Sequence, residues 1–172
     1  MRQPRLNKVA PTSPDKVHGK LVKYRKGDCL SILCGNGNYL AALISDKFNK
    51  HYDITLIEFY KSQQPHLNDF VDGRFFGTRF GSWEEVLTYA VDKRMLECKY
   101  IDNSQNVEKV GTLKLIESLE KASYAYCETL DELEDYYLKE IPIRIEKTKN
   151  AEKFPALAFV SKHLLEITRI IQ

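Results

Sequence analysis

The pattern of apolar runs and polar breaks over residues 28–60 predicts three consecutive antiparallel strands. Two apolar runs, 28–34 and 39–45, flank the dipeptide Asn36-Gly37. Asn-Gly readily takes the positive φ values of a type I′ turn, so we predict a hairpin with a two-residue loop. A third run, 52–60, is rich in β-branched and aromatic residues and predicts the next strand. We expect the core to include Leu33, Leu43 and Ile57.

The segment 70–83 combines three regularly spaced glycines with several large aromatic residues. Arg74 and Arg79 are interleaved with the aromatic residues Phe70, Phe75, Phe76, Phe80 and Trp83. Exposed rings beside arginines can stack on single-stranded nucleic acid, but glycines among strand aromatics also mark bulges or close packing. We favour packing, and we expect Phe75, Phe76 and Trp83 to be buried.

Further elements follow from capping patterns and turn residues. Ser82-Trp83-Glu84-Glu85 is a capping box that predicts a helix over 82–90. The runs 95–101 and 107–116 flank a polar turn and predict a second hairpin.

The final third is predicted to be mostly helical. Thr129-Leu130-Asp131-Glu132 predicts a helix that ends at Pro142. Residues 143–146 alternate like an edge strand. The spacing of apolar residues over 155–171 predicts a closing helix, with a strand over 165–171 as the alternative.

Together these elements predict an α+β fold with a strongly curved antiparallel or barrel-like sheet and three or more helices. The 172 residues are enough for one domain, which would bury about two-thirds of its unfolded surface. We therefore assign 21–172 to a single α+β domain. Residues 1–20 contain several prolines and little apolar periodicity, and they predict a flexible basic arm.

The segment 24–60 resembles the start of the immunity protein 26 family of bacterial polymorphic toxin systems. The resemblance rests on Lys26-Gly27-Asp28 before an apolar strand, on the turn Gly35-Asn36-Gly37-Asn38, and on Tyr39 before the next strand. It implies a small α+β protein that binds and neutralises a cognate toxin without catalysis.

Charge is unevenly distributed along the chain. Residues 1–26 hold eight Lys or Arg and one acid, whereas the whole chain has a net charge of only +2. The segment 117–140 holds eight acids and two lysines. The basic arm could bind nucleic acid or an anionic surface, although we favour a solvated tail. The acidic segment could bind a basic partner or could be a solvated face that favours the start of a helix.

Nothing in the chain predicts a membrane span, a signal peptide or a disulfide framework. The four cysteines, Cys29, Cys34, Cys98 and Cys127, lack a Cys-x-x-Cys spacing, and the first two lie on opposite faces of one strand. Small buried thiols in a reducing compartment are the simplest interpretation. We therefore predict a cytoplasmic protein with no membrane partner.

The chain contains no catalytic, metal-binding or cofactor-binding motif. The phosphate loop, the Gly-x-Ser-x-Gly elbow and the His-Glu-x-x-His pattern are missing, and the four histidines are dispersed. We predict no catalytic residues, no metal and no cofactor. One enzymatic alternative remains: Asp28 could converge with Asp53 or Glu58 as a carboxylate pair.

The predicted function is that of a non-catalytic immunity protein whose partner is another protein, with a basic toxin domain as the candidate partner. The alternatives are a small enzyme that uses carboxylates near the first sheet and a nucleic-acid-binding module that uses the arm and Phe75, Phe76 and Phe80. The predicted partner-binding residues are the acids near the start of the helix: Glu128, Asp131, Glu132, Glu134 and Asp135.

Overall fold

The structure is a computed structural model that describes the backbone of residues 16–17, 20–81, 87–115, 120–148, 158–160 and 165–171. Side chains are described over 22–76, 91–115 and 125–147. Most of the predicted basic arm and Trp83 lie outside these residues. Two short strands, β1 (Lys16–Val17) and β2 (Lys20–Leu21), pair with each other.

In the described part of the chain, nine further strands form one mixed sheet. They are β3 (Asp28–Leu33), β4 (Tyr39–Phe48), β5 (His51–Lys61), β6 (Phe75–Gly81), β7 (Leu87–Glu97), β8 (Val107–Leu115), β9 (Glu120–Cys127), β10 (Ala158–Val160) and β11 (Leu165–Ile171). Their main order is β10-β6-β7-β5-β4-β3-β8-β11. All pairings are antiparallel except that of β9, which runs parallel to β7. The α+β class and the antiparallel sheet are confirmed.

The predicted barrel is not confirmed. The order of the strands is open, and the described strands neither close into a barrel nor curl strongly. The predicted second hairpin is wrong, because β7 continues into helix α2 (Cys98–Asp102) and β8 pairs with β3 instead. This pairing is set by contacts distant in sequence, which local turn residues do not encode.

The first hairpin is confirmed, but its loop differs from the prediction. Strands β3 and β4 pair from Cys29↔Leu43 to Leu33↔Tyr39. The N–H of Gly37 donates to the carbonyl of Cys34 (3.0 Å) and the N–H of Cys34 donates to the carbonyl of Asn38 (2.8 Å). Among the loop residues only Gly37 has a positive φ, 86°. The loop therefore has three residues and a glycine bulge instead of a two-residue type I′ turn.

Strands β3 and β4 are buried on both faces of the sheet. Leu30 and Ile32 point into one apolar cluster, while Cys29 on the same strand belongs to the other. Leu43 and Ile57 are buried as predicted, but Leu33 is only half-buried at the end of its strand. The short helix α1 (Leu67–Asp72) places Phe70 in the second cluster. The sheet thus has a helical layer on each face.

Phe75 and Phe76 are fully buried, one in each cluster. The prediction of packing is confirmed for both rings. Stacking on bases, which would need exposed rings, is excluded for these two residues.

A continuous helical segment, 131–148, covers the face of the sheet that carries the first cluster. It consists of α3 (Asp131–Asp135), a π-helical turn (Tyr136–Glu140) and α4 (Ile141–Thr148). Leu133, Tyr136 and Ile141 point into the core. The segment begins close to the predicted start.

The helical segment does not end at Pro142, and the predicted edge strand over 143–146 is wrong. The N–H of Ile141 donates to the carbonyl of Tyr136, five residues earlier. The wider π-helical turn lies immediately before Pro142, where an α-helix would lose a hydrogen bond and meet the proline ring. This geometry accommodates the proline inside the segment.

Two other predicted helices are also wrong in the described residues. Leu87–Ala90, the end of the helix predicted over 82–90, belongs to strand β7. In the predicted closing helix, Ala158–Val160 and Leu165–Ile171 are strands, and the second is the alternative stated for 165–171. Both sit at sheet edges, where tertiary pairing overrides an ambiguous apolar spacing.

Two buried tyrosines allow the stability contributed by the hydrogen bonds of a buried hydroxyl group to be measured. The Tyr52 hydroxyl donates to Asp102 Oδ1 (2.6 Å) and accepts from the N–H of Tyr24 (3.1 Å). We expect Tyr52→Phe to lower the free energy of unfolding by about 1–3 kcal/mol, because a buried N–H and a carboxylate lose their partner. Urea unfolding followed by circular dichroism measures this change.

Tyr24→Phe is the matched control. The Tyr24 hydroxyl is buried without a hydrogen-bond partner among the described residues. Its removal should leave the stability unchanged or raise it by up to about 1 kcal/mol. A loss in Tyr24→Phe as large as that in Tyr52→Phe would contradict this assignment of the hydrogen bonds.

Candidate partner-binding site

The five predicted acids lie around the start of the helical segment but have different surroundings. Glu128, Asp131 and Asp135 are exposed, and Glu132 and Glu134 are half-buried. Glu132 Oε2 accepts from the N–H of Glu128 (3.2 Å), and Asp135 pairs with Lys139 (2.8 Å). We call Glu128, Asp131, Glu132, Glu134 and Asp135 the acidic surface.

Tyr60 connects the acidic surface to the first hairpin. Its hydroxyl donates to Glu134 Oε1 (2.5 Å) and accepts from Asn36 Nδ2 (2.6 Å). Its ring stacks on that of Tyr137, with centroids 5.8 Å apart. Asn36 therefore supports the hairpin loop and also holds one end of this chain of hydrogen bonds. The sequence did not single out Tyr60, because its partners are distant along the chain.

A buried charge network fixes the helical segment on the sheet. Asp92 of β7 accepts from the Tyr136 hydroxyl, and its Oδ2 lies 2.7 Å from Arg144 Nη1 and 3.7 Å from Arg94 Nη1. Arg94 Nη2 also contacts Glu140 Oε2 (2.9 Å), and its guanidinium lies 3.8 Å from the centroid of the Tyr136 ring. We call these five residues the Asp92 network.

Among the described contacts of the Asp92 network, two carboxylates face two guanidinium groups. Burial, and then the charge of Asp92, raise the pKa of Tyr136. Its hydroxyl therefore stays protonated and keeps donating to Asp92. The network joins strand β7 to the two ends of the π-helical turn, Tyr136 and Glu140, and to Arg144 of α4, so the helical segment has one defined position against the sheet. The acidic surface is consequently held on a rigid support.

An aromatic cleft of about 280 Å³ lies beside the acidic surface. Three separate parts of the chain form it: the start of β5, the junction of β7 with α2, and the end of β9. It is lined by His51, Glu97, Tyr100, Tyr126, Cys127 and Glu128. The rings of His51 and Tyr126 meet edge to face, with centroids 5.5 Å apart. Glu128 belongs to both the cleft and the acidic surface.

The rings of the aromatic cleft are unusually accessible. Tyr126 is 64% exposed and Tyr100 is 40% exposed, and Phe48, which pairs with His51 across the β4–β5 turn, is 76% exposed. Exposed aromatic residues grouped at one place often mark an interaction surface. This end of the sheet is therefore the second candidate binding site.

The buried thiols lack the character of nucleophiles. Burial raises the pKa of Cys34, Cys98 and Cys127 to about 11 each. For Cys127 the charge of Glu132 is the next cause of the raised pKa. All four cysteines are buried and free, in keeping with their interpretation as small core residues.

The three carboxylates of the enzymatic alternative lie on strands that are not neighbours, since β4 separates β3 from β5. Asp28 accepts from Thr112 Oγ1 (2.8 Å) and from the N–H of Arg25 (3.0 Å), so it shapes the turn before β3. Asp53 forms a buried ion pair with Lys93 (3.0 Å), and Glu58 accepts from Arg74 Nε (2.7 Å) at the surface. Each carboxylate has its own cationic or hydroxyl partners.

No group of three His, Cys, Asp or Glu side chains within the described residues is arranged to hold a metal ion. None of the helices in the described part of the chain is both long and apolar enough to cross a membrane. Comparisons of the chain with protein-family models, with curated proteins and with solved structures find no match.

Proposed function

We propose that the chain is a non-catalytic immunity protein that binds and neutralises a cognate bacterial toxin. The observation that carries the proposal is the acidic surface, where exposed carboxylates lie at the start of a helix that the Asp92 network holds rigidly on the sheet. Acids on one surface attract a basic protein and raise its association rate. Acids that are already held in place lose little conformational entropy when the partner binds.

Apolar side chains beside the acids support a protein as the partner. Leu138 and Ile143 are 44% and 53% exposed on the helical segment. These two residues lie on the helical segment that carries the acidic surface, and the aromatic cleft shares Glu128 with that surface. Apolar groups combined with charged ones are the composition of many protein–protein interfaces. The resemblance of 24–60 to immunity protein 26 also supports the proposal.

The direct test of this function uses the product of the gene that lies next to the gene for this chain. If the upstream gene encodes a large toxin with a variable C-terminal domain, the purified chain should bind that domain. It should also restore growth to cells that express the domain. A neighbouring toxin domain that neither binds the chain nor is neutralised by it would contradict the proposal.

The contribution of the acidic surface can be measured separately. We expect Glu128→Gln, Asp131→Asn and Asp135→Asn together to lower the association rate about tenfold at low salt and to flatten its dependence on ionic strength. These three acids are exposed, whereas replacing Glu134 would also disturb Tyr60. Stopped-flow or surface-binding kinetics at several salt concentrations provide the measurement.

The matched control removes the same charge elsewhere. Glu58, Asp72 and Glu108 are exposed and lie outside the helical segment. Replacing them by amides should change the association rate less than about twofold, because steering depends on where the charge lies. Equal effects of the two triple variants would mean that only net charge matters and that the partner docks elsewhere.

A further inference from the structure

The aromatic cleft offers the two groups that recognise an organic cation, namely aromatic faces and carboxylates. His51, Tyr100 and Tyr126 provide the rings, and Glu97 and Glu128 provide the carboxylates. A guanidinium group stacks on aromatic rings and binds carboxylates in a planar, bidentate manner. The cleft volume of about 280 Å³ lies just below the usual range for small-molecule pockets, which suits one long side chain.

A lysine of the chain itself already makes these contacts at the edge of the cleft. Lys99 Nζ lies 3.1 Å from Glu97 Oε2 and 4.9 Å from the centroid of the Tyr100 ring. This side chain is 58% exposed, and exposed ion pairs of this kind add little stability. An incoming cation could therefore displace it at low cost.

The balance of charge also favours a cation. Lys50 and Lys99 both contact Glu97. Glu128 lines the cleft, and Glu132 lies beside it, hydrogen-bonded to the N–H of Glu128. Within the described residues, both lysines contact Glu97, at one side of the cleft, whereas Glu128 lines the other side next to Tyr126 and Cys127.

We propose that the aromatic cleft receives the guanidinium group of an arginine side chain presented by the partner. Tyr126 and Tyr100 stack on the group, and Glu128 accepts its hydrogen bonds. This inference rests on the proposed protein-binding function, and it identifies an arginine-bearing surface as what the partner must supply.

The test is an NMR titration of the whole chain with capped arginine, with capped citrulline as the neutral analogue of the same shape. We expect saturable shifts of the amide signals of His51, of 97–100 and of 126–128 with arginine, with a dissociation constant in the millimolar range. Citrulline should produce no saturable shifts, because it lacks the charge.

Variants at the cleft assign the contacts. Tyr126→Ala should raise the dissociation constant about fivefold or more, whereas Tyr126→Phe, which keeps the ring, should stay within about twofold. Glu128→Gln should also weaken binding. Phe48→Ala is the control, since Phe48 is exposed nearby but does not line the cleft. Thermal unfolding of each variant establishes that it is folded.

Several results would overturn the proposal. Equal binding of citrulline would exclude charge recognition, and equally tight binding of capped lysine would exclude selection of the guanidinium group. An equal loss in Phe48→Ala and Tyr126→Ala would place the ligand outside the cleft. If arginine fails to bind while the neighbouring toxin is neutralised, the arginine site is wrong and the proposed function stands. If arginine binds but the neighbouring toxin is not neutralised, the arginine site stands and the proposed function is wrong.

Discussion

Replacing Asp92 by asparagine is expected to lower the free energy of unfolding by about 3–5 kcal/mol. The carboxylate of Asp92 is fully buried and contacts Arg94, Tyr136 and Arg144. Asparagine keeps the shape but removes the charge, so the two guanidinium groups would lose the carboxylate that they share. Removing one member of a buried ion network leaves an uncompensated charge, which is far more costly than the loss of an exposed pair. Urea unfolding monitored by circular dichroism measures the effect.

The control for Asp92→Asn is Glu58→Gln, which breaks an exposed ion pair with Arg74. The two side chains of that pair are 42% and 57% exposed, so this loss should stay below about 1 kcal/mol. A double-mutant cycle of Asp92→Asn with Arg144→Gln should show a coupling of about 1–3 kcal/mol, because the second change removes one uncompensated cation. Additive effects would mean that Arg144 does not interact with Asp92 in solution.

In Asp92→Asn we expect the helical segment to be the first part of the fold to lose its defined position. Tyr136 and Glu140, at the two ends of the π-helical turn, and Arg144 of α4 all contact the same strand. Without the Asp92 network, the helical segment would retain Leu133 and Ile141 in the core but would lose its defined orientation. The acidic surface would then be less preorganised, so partner binding by Asp92→Asn should weaken beyond the effect on stability alone.

Local signals in the sequence predicted the elements that depend on neighbouring residues. Asn36-Gly37 indicated a hairpin because a glycine with positive φ allows the chain to reverse there. The turn type was wrong because Asn36 keeps a negative φ and uses its side chain. Its Oδ1 accepts from the N–H of Asn38 (3.1 Å), and its Nδ2 donates to Tyr60. The first contact is local, but the second spans 24 residues.

Pairings distant in sequence were not predictable in the same way. Strand β7 contains three consecutive charged residues, Asp92, Lys93 and Arg94, and such a run is typical of a polar turn. All three are nevertheless buried, because Lys93 pairs with Asp53 and Arg94 pairs with Glu140. Pro142 is an ordinary stop signal, and only the π-helical turn before it allows the helix to continue. Neither the ion partners nor the π-helical turn is visible in a window of neighbouring residues.

Only the charged part of the candidate site was predictable from the sequence. The acids of 128–135 are clustered in sequence, so the acidic surface could be named in advance. The aromatic cleft needs His51, Tyr100 and Tyr126 from three distant segments, and single tyrosines in strands ordinarily indicate core positions. Exposure of the rings, which made this site visible, is a property of the folded chain alone.

Gly27→Ala is expected to be the second most damaging change, with a loss of about 2–4 kcal/mol. Gly27 has a φ of 94° in the turn that leads into Asp28, where the N–H of Asp28 donates to the carbonyl of Arg25. Its own N–H donates to the carbonyl of Ile44, and its carbonyl accepts from the N–H of Leu113, both at 2.8 Å. A Cβ atom here would lie 2.2 Å from the Leu113 carbonyl oxygen. Strain in φ and a clash with paired backbone therefore add together.

Two other glycines separate these contributions. Gly37 has a φ of 86° but open space where a methyl group would lie, so Gly37→Ala should cost only about 1 kcal/mol from strain. Gly35 has open space and no positive φ, so Gly35→Ala should change stability by less than about 0.5 kcal/mol. Chemical unfolding of the three variants under one set of conditions gives the ranking. If Gly27→Ala costs no more than Gly37→Ala, the β8 backbone can move away from the turn. The glycine before Asp28 would then be required only for its positive φ, and close packing against Leu113 would not require it.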